Sequence, residues 1–338
     1  MTPGLPAVNI LHCHGAALFP QHFDPARDGY VVIENGDSDR EWDLVVVFET
    51  LRSQATYKVR EGGLVFISGE PPEVGNHSPA FLRQFDTIFS AGAPADVVPA
   101  VFHQQHFNNW HFGYSASRTA YRYDHRAVAD LAPPAKSLML STVTSNLNYL
   151  PMHIKRRALV DRLAGDYADR IDFFGRPHNF VEYKEDAILP YRFQLCIENC
   201  SVPDLWTEKI ADALLGYAIP IYAGCPNIER YFPGATIAID IDDYASVRRT
   251  IDAILADGEA LYQRRFDALV TARQRLIRDF DISTLIGEQL GLVHAREMHP
   301  APLVPEADLP FARLRDLAAR AQRKVTTFAW RRKVAWRG

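Results

Sequence analysis

Cysteine is scarce in this sequence, four residues in 338 (Cys13, Cys196, Cys200 and Cys225), and none falls in the close pairing of a zinc site or a thioredoxin-type motif. A chain of this length does not depend on disulfides for its core, so the four read as reduced thiols. Also lacking is an apolar run near the ~20 residues that cross a bilayer, and the first residues show no charged stretch, apolar run and small-residue cleavage site of a secretory signal. A cytoplasmic location is the expectation from these absences. There is no internal repeat and no low-complexity segment. Basic charge is short too: the formal net charge is -4, which argues against a general nucleic-acid binder. Residues 311–338 are the exception, with nine Lys or Arg against one acid, so the rest of the chain carries -12.

What is present is an apolar fraction of 47% beside a charged fraction of 23%, the balance of a folded protein with a large interior. At 338 residues, two domains are expected rather than one core. Short continuous apolar runs at 29–34 (GYVVIE), 43–49 (DLVVVFE), 63–68 (GLVFIS), 85–90 (FDTIFS) and 96–101 (DVVPAV) suit buried parallel strands. An aromatic-dense stretch, 108–123, and a Pro-Pro break at 131–135 follow, placing a domain boundary near residue 135. Beyond it, strands at 137–142, 170–174 and 236–241 alternate with helices at 154–164, 246–256, 259–279 and 283–293, again a parallel α/β pattern. The expected organisation is 1–135, 136–295, and a C-terminal 296–338.

In open parallel sheets ligands lie beyond the carboxyl ends of strands, against the starts of the following helices. Residues 191–223 read strand, loop, helix, strand, with Glu198 and Asn199 at the strand's end and Trp206, Thr207, Glu208 and Lys209 opening the helix. Trp206, Ile210, Ala213, Leu214 and Tyr217 make one apolar face, which leaves Glu208 and Lys209 off it. A helix start with an adjacent Lys attracts an anion, a diphosphate above all. The plainer reading makes Asp204 a helix cap and Glu208 and Lys209 solvated first-turn charges.

The wording of this stretch, YRFQLCIENCSVPDLWTEKIADALLGYAIPIYAGCPNIERYFP, closely resembles the donor-binding signature of the α-1,3/1,4-fucosyltransferase family, glycosyltransferase family 10. In that signature an F-x-L-x-x-E-N strand precedes a T-E-K helix and a P-V/I-x-x-G-x-P-N strand and loop. The matching residues are Phe193, Leu195, Glu198, Asn199, Thr207, Glu208, Lys209, Pro220, Gly224, Pro226 and Asn227. Ser145-Asn146 with the basic helix start at Arg156 resembles the family's S-N motif and phosphate arginine, and Phe174-Gly175-Arg176 its Y-G-R. VFISGEPPEV and FDTIFS resemble its E-S-P and F-N-W-T-x-S segments more loosely, and the likeness runs over roughly residues 43–280.

The resemblance implies a GT-B-type fold, two Rossmann-like domains facing each other across a cleft, with the donor on the C-terminal one. It implies inverting transfer of fucose from GDP-fucose to a glycan hydroxyl, on lipopolysaccharide or another surface glycan. Arg156 and Lys209 are then expected on the diphosphate, with Arg157 able to exchange roles with Arg156. Glu198 and Glu208 are expected at donor hydroxyls or the oxocarbenium-like charge, and Asn199 holding the loop. Thr207, Ser145, Asn146, Gly175 and Arg176 complete the donor set. The E-S-P glutamate carries over to Glu70 as general base, with Glu73 as its substitute. Leu205 stands where the family has an aromatic, which keeps another GDP-linked sugar open, as is a non-catalytic glycan-binding protein on a transferase scaffold. No obligatory metal is expected; His12, Cys13 and His14 read as structural, because neighbours on a strand face opposite ways. Trp110 to Tyr123 suits either a stacking platform for sugar rings or core packing. In residues 311–338, Leu314, Leu317, Ala321, Val325 and Phe328 share a helical face amid basic residues and tryptophans, suited to peripheral membrane contact or to docking on the acidic body.

Overall fold

The computed structural model describes residues 4–72, 74, 77–91, 101–103 (backbone only), 110–176, 178–310, 317–318, 321 and 324–325. The chain forms two compact units, Met1–Asn109 with Phe280–Ala319, and Trp110–Asp279 with Arg320–Gly338.

The first unit opens with β1 (Ala7–Leu11), α1 (Pro25–Asp28), β2 (Val31–Glu34), β3 (Glu41–Trp42), β4 (Leu44–Phe48), β5 (Ala55–Arg60), β6 (Leu64–Ile67), α2 (Pro79–Leu82), β7 (Thr87–Phe89) and β8 (Val101–His103). Six strands form one parallel sheet in the order β2-β1-β4-β6-β7-β8. The expected runs at 29–34, 43–49, 63–68 and 85–90 are β2, β4, β6 and β7. The central β1 had a short signal, five residues, and was not anticipated. Along β4 and β6 every residue is buried, and alternate side chains serve opposite faces. Val45, Val47, Leu64 and Phe66 join Trp42 and Phe81 in one core, while Leu44, Val46, Phe48, Val65 and Ile67 join Phe19 in the other.

The second unit contains α3 (His125–Ala129), β9 (Leu138–Val143), α4 (Pro151–Asp166), β10 (Asp172–Phe174), β11 (Tyr191–Ile197), α5 (Glu208–Leu215), β12 (Ile219–Ala223), β13 (Ile237–Ala238) and α6 (Tyr244–Asp279). Its sheet is also parallel, in the order β10-β9-β11-β12-β13. Pro151 heads α4, three residues before the expected start at Ile154, because a proline's missing N–H costs nothing at a helix's first position. The two helices expected at 246–256 and 259–279 run on as α6 with a kink at Asp257 (φ -143°, ψ 38°).

The chain then returns to the first unit through α7 (Ile282–Val293) and β14 (Met298–Leu303), which pairs antiparallel with β5. Ile282, Leu285, Ile286, Leu290 and Val293 of α7 lie in the core cluster of β4 and β6. Each such side chain contributes about 1.5–3 kcal/mol on burial, enough to decide which unit the helix joins. Asp281, fully buried, caps α7 through the Ser283 amide and meets His22 Nδ1 at 2.8 Å.

These contacts differ from the expected division. The first unit ends at Asn109 rather than 135, and α7 belongs to it rather than to 136–295. The reason at the first junction is local: Asp212 Oδ1 accepts the amides of His111 (2.8 Å) and Phe112 (2.9 Å), and Glu185 Oε2 accepts that of Gly113 (2.9 Å). Trp110, Phe112 and Tyr114 are buried, so this part of the aromatic stretch is core and not a sugar platform.

Candidate functional site

In the second sheet β11 pairs with both β9 and β12, which brings the carboxyl ends of β9 and β11 side by side. The helices that follow them, α4 and α5, therefore start at one edge of the sheet, where a parallel α/β unit gathers ligand-binding groups.

At the start of α5, Thr207 is the cap: its side chain accepts from the Lys209 amide. Asp204, the expected cap, has φ 65° and instead accepts from Asn227 Nδ2 and Tyr231 Oη, each at 2.7 Å. Trp206 precedes the helix and is buried. Glu198, at the end of β11, is fully buried and takes the Thr207 amide at 2.9 Å, the Thr207 hydroxyl at 2.5 Å and Lys209 Nζ at 3.5 Å. Its carboxylate thus braces the α5 start. A Cβ on Gly224 would come within 2.4 Å of Glu198 Cγ, so only glycine lets the glutamate lie there.

Lys209 Nζ lies 3.0 Å from both Thr207 Oγ1 and Glu208 Oε1. Burial works to lower its pKa, but the carboxylates of Glu208 and Glu198 hold it above the ordinary lysine value. Glu208 is the converse: burial opposes its charge, yet Lys209, His111 and Lys184 keep its carboxyl well below the usual range. Lys184 pairs with buried Asp212 at 2.6 Å. Burial keeps the His111 imidazole below its ordinary pKa, against the pull of Glu208 and Asp212.

The α4 start is built differently. Arg156 is buried, with Nη1 donating to Asn199 Oδ1 (2.6 Å) and Nη2 to Ser145 Oγ (3.0 Å). Asn199 thus holds an arginine rather than only its loop. Arg157 points away, to Asp161 at 3.6 Å, and does not exchange with Arg156. Lys155 reaches Asp242 at 2.5 Å. His153, one turn before Arg156, is fully buried.

Asn146 and Arg176 are exposed. Gly175 (φ +88°) shapes the turn after β10, where an added Cβ would meet the Thr144 carbonyl oxygen at 2.1 Å. Sequence reasoning therefore found Arg156, Glu198, Asn199, Thr207, Glu208 and Lys209 at one place. It missed His111, His153, Lys184 and Asp212, which lie outside the contiguous signature.

In the first unit, Glu70 is exposed after β6, and its amide donates to Glu49 Oε1 at 2.9 Å. Glu49 has φ 65° and also takes the Gly69 amide and, at 3.3 Å, the Ser68 hydroxyl. It organises the turn that carries Glu70, a role with no local sequence signal. Glu73 lies outside the described residues. His12 to His14 fall beyond the end of β1, and His12 is buried against Glu34 at 2.6 Å, a structural bond. Among the described residues no group of three or more His, Cys, Asp or Glu could hold a metal ion, and no helix is long and apolar enough to cross a membrane. Most of residues 311–338 lie outside the described ones; Leu317 and Val325 are exposed.

Residues 133–271 match the family described as Glycosyltransferase family 10 (fucosyltransferase) C-term. The chain is 31% identical over 155 residues to human alpha-(1,3)-fucosyltransferase 7, covering 44% of this chain and 43% of that protein. It is likewise 31% identical over 131 residues to Helicobacter pylori alpha-(1,3)-fucosyltransferase FucT, covering 38% and 26%. The matches thus span less than half the length of these relatives. Among solved structures, an alpha1,3-fucosyltransferase with GDP-fucose aligns with a TM-score of 0.45 at 18% identity, over 88% of this chain and 93% of that one.

Proposed function

We propose, from the premise that this chain belongs to glycosyltransferase family 10 through residues 133–271, that it is an inverting fucosyltransferase using GDP-fucose as donor and a glycan hydroxyl as acceptor. The observation that carries the reading is the convergence of Arg156 and Lys209 with Glu198, Asn199 and Thr207 at the starts of α4 and α5. Two cations at adjacent helix starts suit a diphosphate, whose charge grows as the glycosidic bond breaks. Glu208, kept ionised beside Lys209, is suited to stabilise the positive charge that develops at the anomeric carbon.

In the proposed reaction Glu70 takes the proton from the acceptor hydroxyl as its oxygen attacks the anomeric carbon. The new C–O bond forms on the face opposite the leaving group, and GDP departs with the bonding electron pair, held by Arg156 and Lys209. Glu49 keeps the Glu70 turn in shape. The proposed arrangement is GT-B, with the donor on the second unit and the acceptor on the first. The acceptor is proposed as lipopolysaccharide or another surface glycan, met at the cytoplasmic face of a membrane through residues 311–338.

The first test is thermal: GDP raises the melting temperature and UDP does not. Stabilisation by UDP alone removes the donor assignment. Glu70→Gln should lower turnover about 100- to 10,000-fold, the range for a general base; unchanged turnover excludes Glu70. One observation favours a second donor: Leu205 is buried where the family carries an aromatic, so a different GDP-linked hexose fits the same scaffold. Donor hydrolysis measured across GDP-fucose and GDP-mannose separates the two.

A further inference from the structure

The first turn of α4 contains an imidazole that the reading above does not use. His153 has no solvent exposure, and neither ring nitrogen has a partner that meets strict hydrogen-bond geometry. Tyr149 packs edge-on against the ring, with centroids 4.6 Å apart and planes at 85°, which fixes the plane of the imidazole. The Asn199 side chain is its hydrogen-bonding neighbour and favours the charged ring, whereas Arg156 and Lys209 oppose that charge. Arg156 Nε, on the same helix, is also buried and without a partner. The helix itself begins without a side-chain cap, since the residue before Pro151 is Leu150.

Buried polar groups are almost always paired, and an orphaned one in a folded protein calls for a missing partner. The groups gathered here are donors: an arginine N–H, an imidazole that can offer an N–H, and the amides of an uncapped helix start. Asn199 Oδ1 and Ser145 Oγ already accept from Arg156, and Asn199 serves at most one nitrogen of the ring. The missing partner is therefore rich in acceptor oxygens and carries none of the donors itself. Because burial and the adjacent Arg156 push the imidazole down to about 4, it stays neutral near pH 7 and adds a hydrogen bond without a third desolvated cation.

We propose that His153 is a further ligand for the diphosphate, a neutral ring N–H directed at a phosphate oxygen beside the one that Arg156 holds. The inference rests on the diphosphate site of the proposed function, but not on the nucleoside or the sugar.

The test is calorimetric titration of the full chain with GDP, UDP and inorganic diphosphate, using wild type, His153→Phe, His153→Met and His153→Gln. Phe and Met remove the donor, whereas Gln keeps an N–H. Loss of a hydrogen bond to a charged group predicts about 10-fold or greater weakening of Kd in the Phe and Met variants for every diphosphate that wild type binds, with Gln restoring most of it. Ligand-free melting curves identify a variant that fails to fold, and the remaining variants decide. Wild-type affinity in a folded Phe or Met variant overturns the inference and leaves the donor assignment standing. Binding of UDP but not GDP by wild type, with the same dependence on His153, overturns the donor assignment and leaves the inference standing. No binding of any diphosphate by wild type overturns both.

Discussion

The two helix starts that follow β9 and β11 are unlike in construction. At α5 the cap, the cation and both carboxylates answer one another: Thr207, Lys209, Glu208 and Glu198 form a closed set. At α4 there is no side-chain cap, Arg156 Nε is buried without a partner, and the His153 ring is incompletely paired. The difference separates two contributions to a binding site. A closed set fixes geometry in the free protein, whereas an open one keeps binding capacity that a ligand completes.

Substitutions that break this contrast have ordered effects. The largest is expected for Arg156→Ala, which removes a donor aimed at developing negative charge: kcat/KM should fall about 100- to 1,000-fold. Steady-state kinetics and melting curves together check it, because folding should suffer far less than activity when an incompletely paired buried cation is removed. Lys209→Met should cost stability as well as activity, roughly 2–3 kcal/mol, since Glu198 and Glu208 lose their shared counter-charge in a largely buried place. Chemical denaturation of the ligand-free protein measures it; a loss of activity alone would make the α5 start as open as α4.

Acid titration sharpens the comparison further. His153 titrates at about 4 when folded against 6.5 as an ordinary histidine. Between those values the unfolded chain binds the proton and the folded one does not, so folding stability rises with pH there. The contribution is present above 6.5 and is lost as pH falls toward 4, to a limit of roughly 3–4 kcal/mol. His153→Phe should flatten that part of the stability profile. Glu208 acts lower on the scale: its carboxyl is depressed below 4.5, so its contribution is held above 4.5 and fades only in stronger acid. The smallest effect is that of Thr207→Ala, about 1 kcal/mol for a lost cap, with an additional loss from unpaired Glu198. Thr207→Ser should keep the cap.

Much of the α5 start was legible because its parts are contiguous. A strand, a polar loop, a capping threonine and a charged first turn follow in order from 191 to 215, and local rules suffice to read them. The kink in α6 was legible for the same reason, as a break in period near Asp257. That Glu198 braces the α5 start was not legible, since an acid at a strand end shows nothing of Thr207 and Gly224 closing around it. His153 had no signal, because it falls one residue before the expected start of that helix at Ile154. Glu49 had none either, because its left-handed backbone and its hold on the 68–70 turn depend on a neighbouring strand.

Taken alone, the amino-acid sequence determined two parallel α/β sheets, the chemistry of residues 191–227, and the likeness to family 10. The sheets and the helix start follow from side-chain periodicity and short-range capping, which act within a few residues, and the likeness rests on matched motif residues. Tertiary structure alone decided that Arg156 grips Asn199, 43 positions away, and that Asp281, 259 positions from His22, returns α7 to the first unit. Such contacts form only when the strands have taken their order in the sheet, because that order, and not distance along the chain, sets which helix starts and which buried charges become neighbours.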